Sequence, residues 1–86
     1  MMHYNNIPTI DIHGYDRNSA IALVDSFVNS NYQAGYTVIS VIHGMGDNIL
    51  KEELHKYLKS KKLEVKSYKL NVNNIGETII NLYEIK

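Results

Sequence analysis

Two stretches of this chain follow one plan: a short run with strand periodicity, a His-Gly pair, and then a run with helical periodicity. In the first, Thr9-Ile10-Asp11-Ile12-His13 alternates polar and apolar, Gly14 follows, and Ala20, Ile21, Val24, Phe27 and Val28 recur at three- and four-residue spacing before Gly35. In the second, Thr37-Val38-Ile39-Ser40-Val41-Ile42 is β-branched except at Ser40 and closes on His43-Gly44-Met45-Gly46. A helix then runs from about Asn48 to Ser60, with Ile49, Leu50, Leu54, Tyr57 and Leu58 on one face. Asp16 and Asp47 are the expected N-caps of the two helices. Two strands separated by one helix are expected to pair in parallel through a right-handed crossover. Residues 64–71 and 77–85 read as two more strands, joined by the turn Asn73-Asn74-Ile75-Gly76. The expected fold is therefore α/β: a two-layer sandwich of order βαβαββ, with a four-stranded mixed sheet and both helices on one face.

The length, 86 residues, leaves room for one core, so residues 8–86 are expected to form a single domain after a flexible N-terminus, residues 1–7. An apolar fraction of 44% is ordinary for a globular chain and argues against disorder. The absence of cysteine removes disulfide frameworks, thiolate metal sites and cysteine nucleophiles together. No apolar run is long enough for a membrane span and no secretory signal opens the chain, so a cytoplasmic monomer is the expectation. Formal net charge is zero, with nine basic and nine acidic residues, but this is a cancellation. Seven lysines face three carboxylates between Lys51 and Lys69, and the excess is reversed elsewhere. The chain is electrically polarised.

Both His-Gly loops fall at the carboxyl end of the expected sheet, where open α/β folds bind ligands. In the first strand, Asp11 and His13 share the face opposite Ile10 and Ile12, placing a carboxylate beside an imidazole. That pair suits general acid–base work on a phosphodiester; Asp11 is also the one candidate ligand for Mg²⁺ or Mn²⁺. A satisfied structural histidine would have the same local sequence. Gly44-Met45-Gly46, between a strand and a helix, exposes backbone N–H groups at a positive helix end and suits phosphate, although a bare tight turn has the same spacing. The Lys-Ser/Thr of a nucleotide P-loop is missing. His43, Asp47 and His55, or Glu52 with His55, match no zinc spacing, and the second helix is expected to point them apart. Lys51, Lys56, Lys59, Lys62, Lys66 and Lys69 form a candidate nucleic-acid surface, with Tyr57 and Tyr68 for base stacking; a solvated helix face and a guarded strand edge would carry the same lysines.

Ile10-Asp11-Ile12-His13-Gly14 resembles the L-D-L-H-G signature of the small MutS-related (Smr) domain family. His43-Gly44-Met45-Gly46 followed by Ile49-Leu50-Lys51 resembles the family's H-G-x-G-x-G-x-L-[RK], and Gly76-Glu77-Thr78-Ile79-Ile80-Asn81-Leu82 its closing strand. The resemblance implies a fold like the carboxy-terminal domain of translation initiation factor three. It further implies an endonuclease that nicks DNA or cleaves RNA, including messenger RNA on the ribosome; the expected substrate is single-stranded or distorted nucleic acid, RNA in preference to DNA nicking. Asp11, His13 and His43 would be its catalytic residues and Gly44, Met45 and Gly46 its phosphate loop. Met45 stands where many members carry a basic residue, and Asn48 replaces the third glycine. A non-catalytic module docking on nucleic acid or the ribosome is the competing reading. A small-molecule phosphate binder would need a pocket that so short a chain is not expected to enclose.

Overall fold

The two strand–helix units form where the sequence places them, whereas the last strand, expected at 77–85, forms at Asn74–Leu82. The computed structural model describes residues 7–46 and 48–85. The elements are β1 (Thr9–Asp11), α1 (Arg17–Gln33), β2 (Val38–Ile42), α2 (Ile49–Ser60), β3 (Val65–Asn71) and β4 (Asn74–Leu82). The sheet order is β1-β2-β4-β3; β1 and β2 are parallel, and β4 lies antiparallel to both its neighbours. Helices α1 and α2 pack on each other and on one face of this mixed sheet. No helix among the described residues is long and apolar enough to cross a membrane.

The core lies between the helices and that face. Ile39 and Val41 of β2 and Ile80 and Leu82 of β4 meet Ala20, Val24 and Val28 of α1 and Leu54 and Leu58 of α2, with Ile12 and Val65 at the margins. Burying one such branched side chain contributes about 1.5–3 kcal/mol, so this layer is the main source of cohesion. The other half of each strand faces the open side. Thr9↔Ser40 and Asp11↔Ile42 align across β1 and β2, and Ile42↔Glu77 extends the second row to β4. Ser40, almost fully buried on this side, donates its hydroxyl to Glu77, which also accepts from the Asn71 amide at 2.8 Å.

Asp16 stands at the N-cap of α1 with extended backbone, and its carbonyl accepts the Ala20 N–H at 2.9 Å. The expectation for α2 needs correction. Asp47 lies outside the described residues, and the N-cap position belongs to Asn48, in the left-handed conformation with φ +69°. An Asn tolerates that conformation better than other non-glycine residues, so it can hold this turn. Ile49, expected on the apolar face, is 45% exposed. Of the segment 1–7, only Ile7 is among the described residues.

The hairpin also departs from expectation. The turn is Val72-Asn73 alone, and Asn74, Ile75 and Gly76 already belong to β4. Local side-chain bonds explain the tight reversal: Asn71 Oδ1 accepts the Asn73 N–H at 2.9 Å, and Asn74 Oδ1 accepts the Gly76 N–H at 3.1 Å. Pairing jumps from Leu70↔Thr78 to Asn71↔Asn74, so residues 75–77 bulge out of the β3–β4 ladder. This bulge turns the Gly76 carbonyl toward the end of β2, where it accepts the His43 N–H at 2.8 Å and the Gly44 N–H at 3.0 Å.

Candidate active site

Strand β1 ends at Asp11, and the alternation continues one step further, with Ile12 buried in the core and Asp11 and His13 on the open side. Asp11 Oδ1 accepts two bonds from the same residue: the His13 backbone N–H at 3.0 Å and the His13 ring Nδ1–H at 2.6 Å. These bonds hold the Asp11 carboxyl below the usual carboxylate range, the ring bond contributing most. Both side chains are largely exposed, 67% for His13 and 49% for Asp11, so the pair adds little stability. Its effect is orientation. With Nδ1 carrying the proton shared toward Asp11, Nε2 presents its lone pair to solvent.

Strand β2 delivers the second loop beside it. Gly44 has φ +85°, and a Cβ there would stand 3.3 Å from the His13 Cβ, so both backbone conformation and space require glycine. Together His13, Gly14, His43, Gly44, Met45, Gly46, Asn48, Leu50 and Lys51 line a cleft of roughly 300 Å³ at the carboxyl ends of β1 and β2. The N–H groups of Met45 and Gly46 have no hydrogen-bond partner among the described residues. The Gly44 N–H, by contrast, is committed to Gly76, which corrects the expectation that every amide of the loop is available to a phosphate. Gly44 shapes the loop; Met45 and Gly46 carry its free donors.

His43 is 5% exposed, and both of its ring nitrogens are engaged. Nδ1 lies 3.1 Å from the Gly44 carbonyl oxygen and Nε2 lies 2.9 Å from Thr78 Oγ1. His55, from α2, places its own Nε2 2.9 Å from the same hydroxyl. The two imidazoles stand edge to face with centroids 6.3 Å apart, and Tyr68 packs on His55 at 4.8 Å. Burial pushes both histidines below the ordinary imidazole range, and nearby Lys51 adds to that for each. The expectation that α2 points His55 away from His43 is therefore overturned, and Thr78 is the residue that joins them. The only sequence signal for this was a lone threonine among the apolar residues of β4.

The candidate nucleic-acid surface divides. Lys51 lines the cleft. Lys59, Lys62 and Lys66 surround a shallow depression with Leu58, Val65 and Tyr68 beyond the C-terminal end of α2. Lys69 lies on the open sheet face with Asn71, Ile79 and Asn81, and Lys56 is exposed on α2. They do not share one face. Tyr57 is no stacking platform: its hydroxyl donates to Asp25 of α1 at 2.6 Å, and burial with that bond pushes the phenol far above its ordinary range. Tyr68 is half-buried against His55.

The donor set bears on a divalent ion. No group of three or more His, Asp or Glu side chains converges among the described residues. Asp11, with Oδ1 engaged by His13, has Oδ2 to offer. Mg²⁺ is commonly held by one or two carboxylates plus substrate phosphate and water, so Asp11 suits an ion that arrives with a phosphodiester.

Comparison with known proteins gives the family and the fold. The Smr domain model covers residues 10–82. Endonuclease MutS2 of Acetivibrio thermocellus is 36% identical over 77 residues, 90% of this chain and 10% of that protein. Endonuclease MutS2 of Clostridium acetobutylicum is 36% identical over 78 residues, 91% and 10% respectively. The chain thus spans about a tenth of the length of these curated relatives. The crystal structure of the Smr domain of Thermus thermophilus MutS2 superposes with a TM-score of 0.84 at 21% identity, covering 90% of this chain and 99% of that one. The solution structure of the SMR domain of NEDD4-binding protein 2 does so at 0.69 and 18%, covering 100% and 96%. By the extent of the family match and the identity to the MutS2 proteins, the chain belongs to the Smr domain family.

Proposed function

We propose that this domain is an endonuclease for single-stranded or distorted nucleic acid, with RNA preferred. The observation that carries the reading is the exposed Asp11–His13 pair, joined at 2.6 Å beside a loop whose Met45 and Gly46 N–H groups have no partner among the described residues. The loop amides of Met45 and Gly46, with Lys51 on the first turn of α2, receive the scissile phosphate and offset the charge that develops on it. His13 Nε2 takes the proton of the attacking 2′-hydroxyl as its oxygen bonds to phosphorus and the P–O5′ bond breaks; the departing 5′-oxygen takes a proton from solvent, leaving a 2′,3′-cyclic phosphate and a 5′-hydroxyl, and Asp11 stabilises the imidazolium that forms. His43 acts through the loop, since both its ring nitrogens are engaged. A ribose 2′-hydroxyl is a nucleophile that the substrate itself brings next to the phosphate, so RNA needs no water-positioning group from the protein. Mg²⁺ or Mn²⁺ bound by Asp11 and the phosphate would supply further charge neutralisation. Messenger RNA on the ribosome is the proposed setting, and a monomer in the cytoplasm the proposed working form.

The competing docking reading required one lysine-rich surface, and the lysines are dispersed. The test uses labelled single-stranded RNA and DNA, with and without Mg²⁺ or Mn²⁺, against wild type, Asp11→Ala and His13→Ala. RNA cleavage leaving cyclic phosphate ends, lost in both variants, is expected. Wild-type cleavage no faster than the variants' would end the enzymatic reading.

A further inference from the structure

The contact between His43, Thr78 and His55 has a proton order that its geometry fixes when the His43 ring is neutral. Gly44 O is a carbonyl and only accepts, so His43 Nδ1, 3.1 Å away, carries a proton. In the neutral ring Nε2 is then an acceptor, and the Thr78 hydroxyl, 2.9 Å away, donates its one proton to it. The Thr78 oxygen can therefore only accept from His55, so His55 Nε2, also at 2.9 Å, is the protonated nitrogen. The chain runs from His55 N–H to Thr78 O–H to His43 N–H to the Gly44 carbonyl, with each group donating once.

The last link acts on the loop. The Gly44 carbonyl and the Met45 N–H belong to one planar trans peptide unit, in which C=O and N–H point in opposite directions. Holding the carbonyl toward the buried His43 ring turns the Met45 N–H outward. We infer that His55 and Thr78 are positioning residues for the loop: they hold His43 in the one tautomer that fixes the Gly44 carbonyl and so aims the Met45 amide away from the core. That this amide meets a phosphate rests on the function proposed above; the aiming does not. Groups facing the pair are Lys51 and Lys59 from α2, Glu77 from β4 and the Tyr68 ring from β3.

A single proton is tolerated on His55, whose Nε2–H remains the donor. Protonating both rings aims two N–H groups at Thr78 and leaves its own proton without an acceptor, so the chain breaks. The inference thus predicts an acid limit set by the pair, which moves when His55 is replaced.

The decisive experiment records imidazole nitrogen and Met45 amide NMR signals of the 86-residue chain in wild type, His55→Gln, His55→Leu, Thr78→Ser and Thr78→Val. Expected are a protonated Nδ1 on His43, a protonated Nε2 on His55, and a Met45 amide shifted in His55→Leu and Thr78→Val. In His55→Gln the side-chain amide supplies a donor near the Nε2 position, and Thr78→Ser keeps the hydroxyl, so both should restore the signal. Titrated with a short phosphorothioate oligouridylate, the Leu and Val variants should bind about two- to tenfold more weakly, the worth of one hydrogen bond. A His43 protonated on Nε2 alone, or a Met45 amide indifferent to His55→Leu, would overturn the inference. Correct tautomers and a responsive amide in a chain that cuts no RNA would uphold the aiming device and refute the nuclease. Should the Leu and Val variants fail to fold, the wild-type tautomers and the Gln and Ser variants still decide.

Discussion

Gly76→Ala puts one methyl group against the loop from its far side. The added Cβ would lie 3.0 Å from Met45 Cγ, 3.1 Å from the Gly44 carbonyl carbon and 3.3 Å from Asn74 Oδ1. Carbon atoms rest comfortably at about 3.5–4.0 Å, so every one of these neighbours must give way. Met45 is 67% exposed and can swing aside at little cost. Gly44 cannot, because its N–H is tied to the Gly76 carbonyl at 3.0 Å and its own carbonyl to His43. Forcing a methyl into such a contact costs about 1–3 kcal/mol, and straining the two bonds into the Gly76 carbonyl adds about 1 kcal/mol. The stiffer unfolded chain returns about 0.4–1 kcal/mol. The expected net loss is about 2 kcal/mol, which lowers the Tm of a domain this size by about 8–16 °C. Gly46→Ala is the comparator, since a Cβ there meets open space and its φ is not positive. That change should be neutral or stabilise by up to about 1 kcal/mol. Urea unfolding of both variants reads the difference as a shift in midpoint at unchanged slope. Midpoints of Gly76→Ala and Gly46→Ala within about 0.5 kcal/mol of each other would show that Gly44 is not pinned, and the account of the loop would fall with it.

Asp11→Asn should leave the unfolding midpoint within about 0.5 kcal/mol of wild type, because the pair is exposed, yet reduce RNA cleavage about 10²-fold or more; a cleavage rate near wild type would remove Asp11 from the chemistry. Burial lowers the His43 and His55 values below 6.5, so the unfolded chain binds more protons there. Stability is therefore full above about pH 6.5 and falls on acidification by up to ~1.4 kcal/mol per pH unit for each histidine; Asp11 acts only in a lower window, below 3.8, and a urea midpoint constant down to pH ~5.5 would refute the burial argument. Tyr57→Phe should cost about 1–2 kcal/mol in thermal unfolding while leaving oligonucleotide affinity unchanged; loss of affinity without loss of stability would restore Tyr57 as a base-stacking residue. Lys51→Ala should weaken oligouridylate binding and flatten its salt dependence more than Lys59→Ala or Lys62→Ala, and equal effects from all three would mean that the lysines act as one surface.

How far the sequence anticipates this molecule depends on the range over which each feature is determined. The alternation of residues 9–13 puts Asp11 and His13 on the side opposite Ile12, and the structure keeps them there because a strand's period of two is a local property. The parallel pairing of β1 and β2 follows from the helix between them, and the left-handed Asn48 stands where the resemblance to the Smr signature puts its third glycine. What escapes the sequence is set by contacts between residues distant in the chain. Tyr57 is claimed by Asp25, 32 positions earlier, and the lysines separate because α2 and β3 end on different surfaces. The fate of the Gly44 amide depends on a bulge in β4 that no propensity signals, since Asn73-Asn74-Ile75-Gly76 reads locally as a turn.

The same reasoning separates the two histidines of the His-Gly motifs, which look equivalent in the sequence. His13 follows a strand whose last core residue is Ile12, so it emerges on the open side, where a carboxylate two residues back can orient it. His43 follows Ile42, which faces the open side, so the alternation sends it under α2 to Thr78. One residue of register thus converts a group that can exchange protons with a substrate into one that holds a loop. The pair of motifs is a division of labour, with the acid–base group on β1 and the scaffold of the phosphate loop on β2. On that account His43→Gln and His13→Gln should fail differently: the first should lower both the unfolding midpoint and substrate binding, the second cleavage alone. Equal losses of stability from the two substitutions would contradict the assignment of one to the core and the other to the surface.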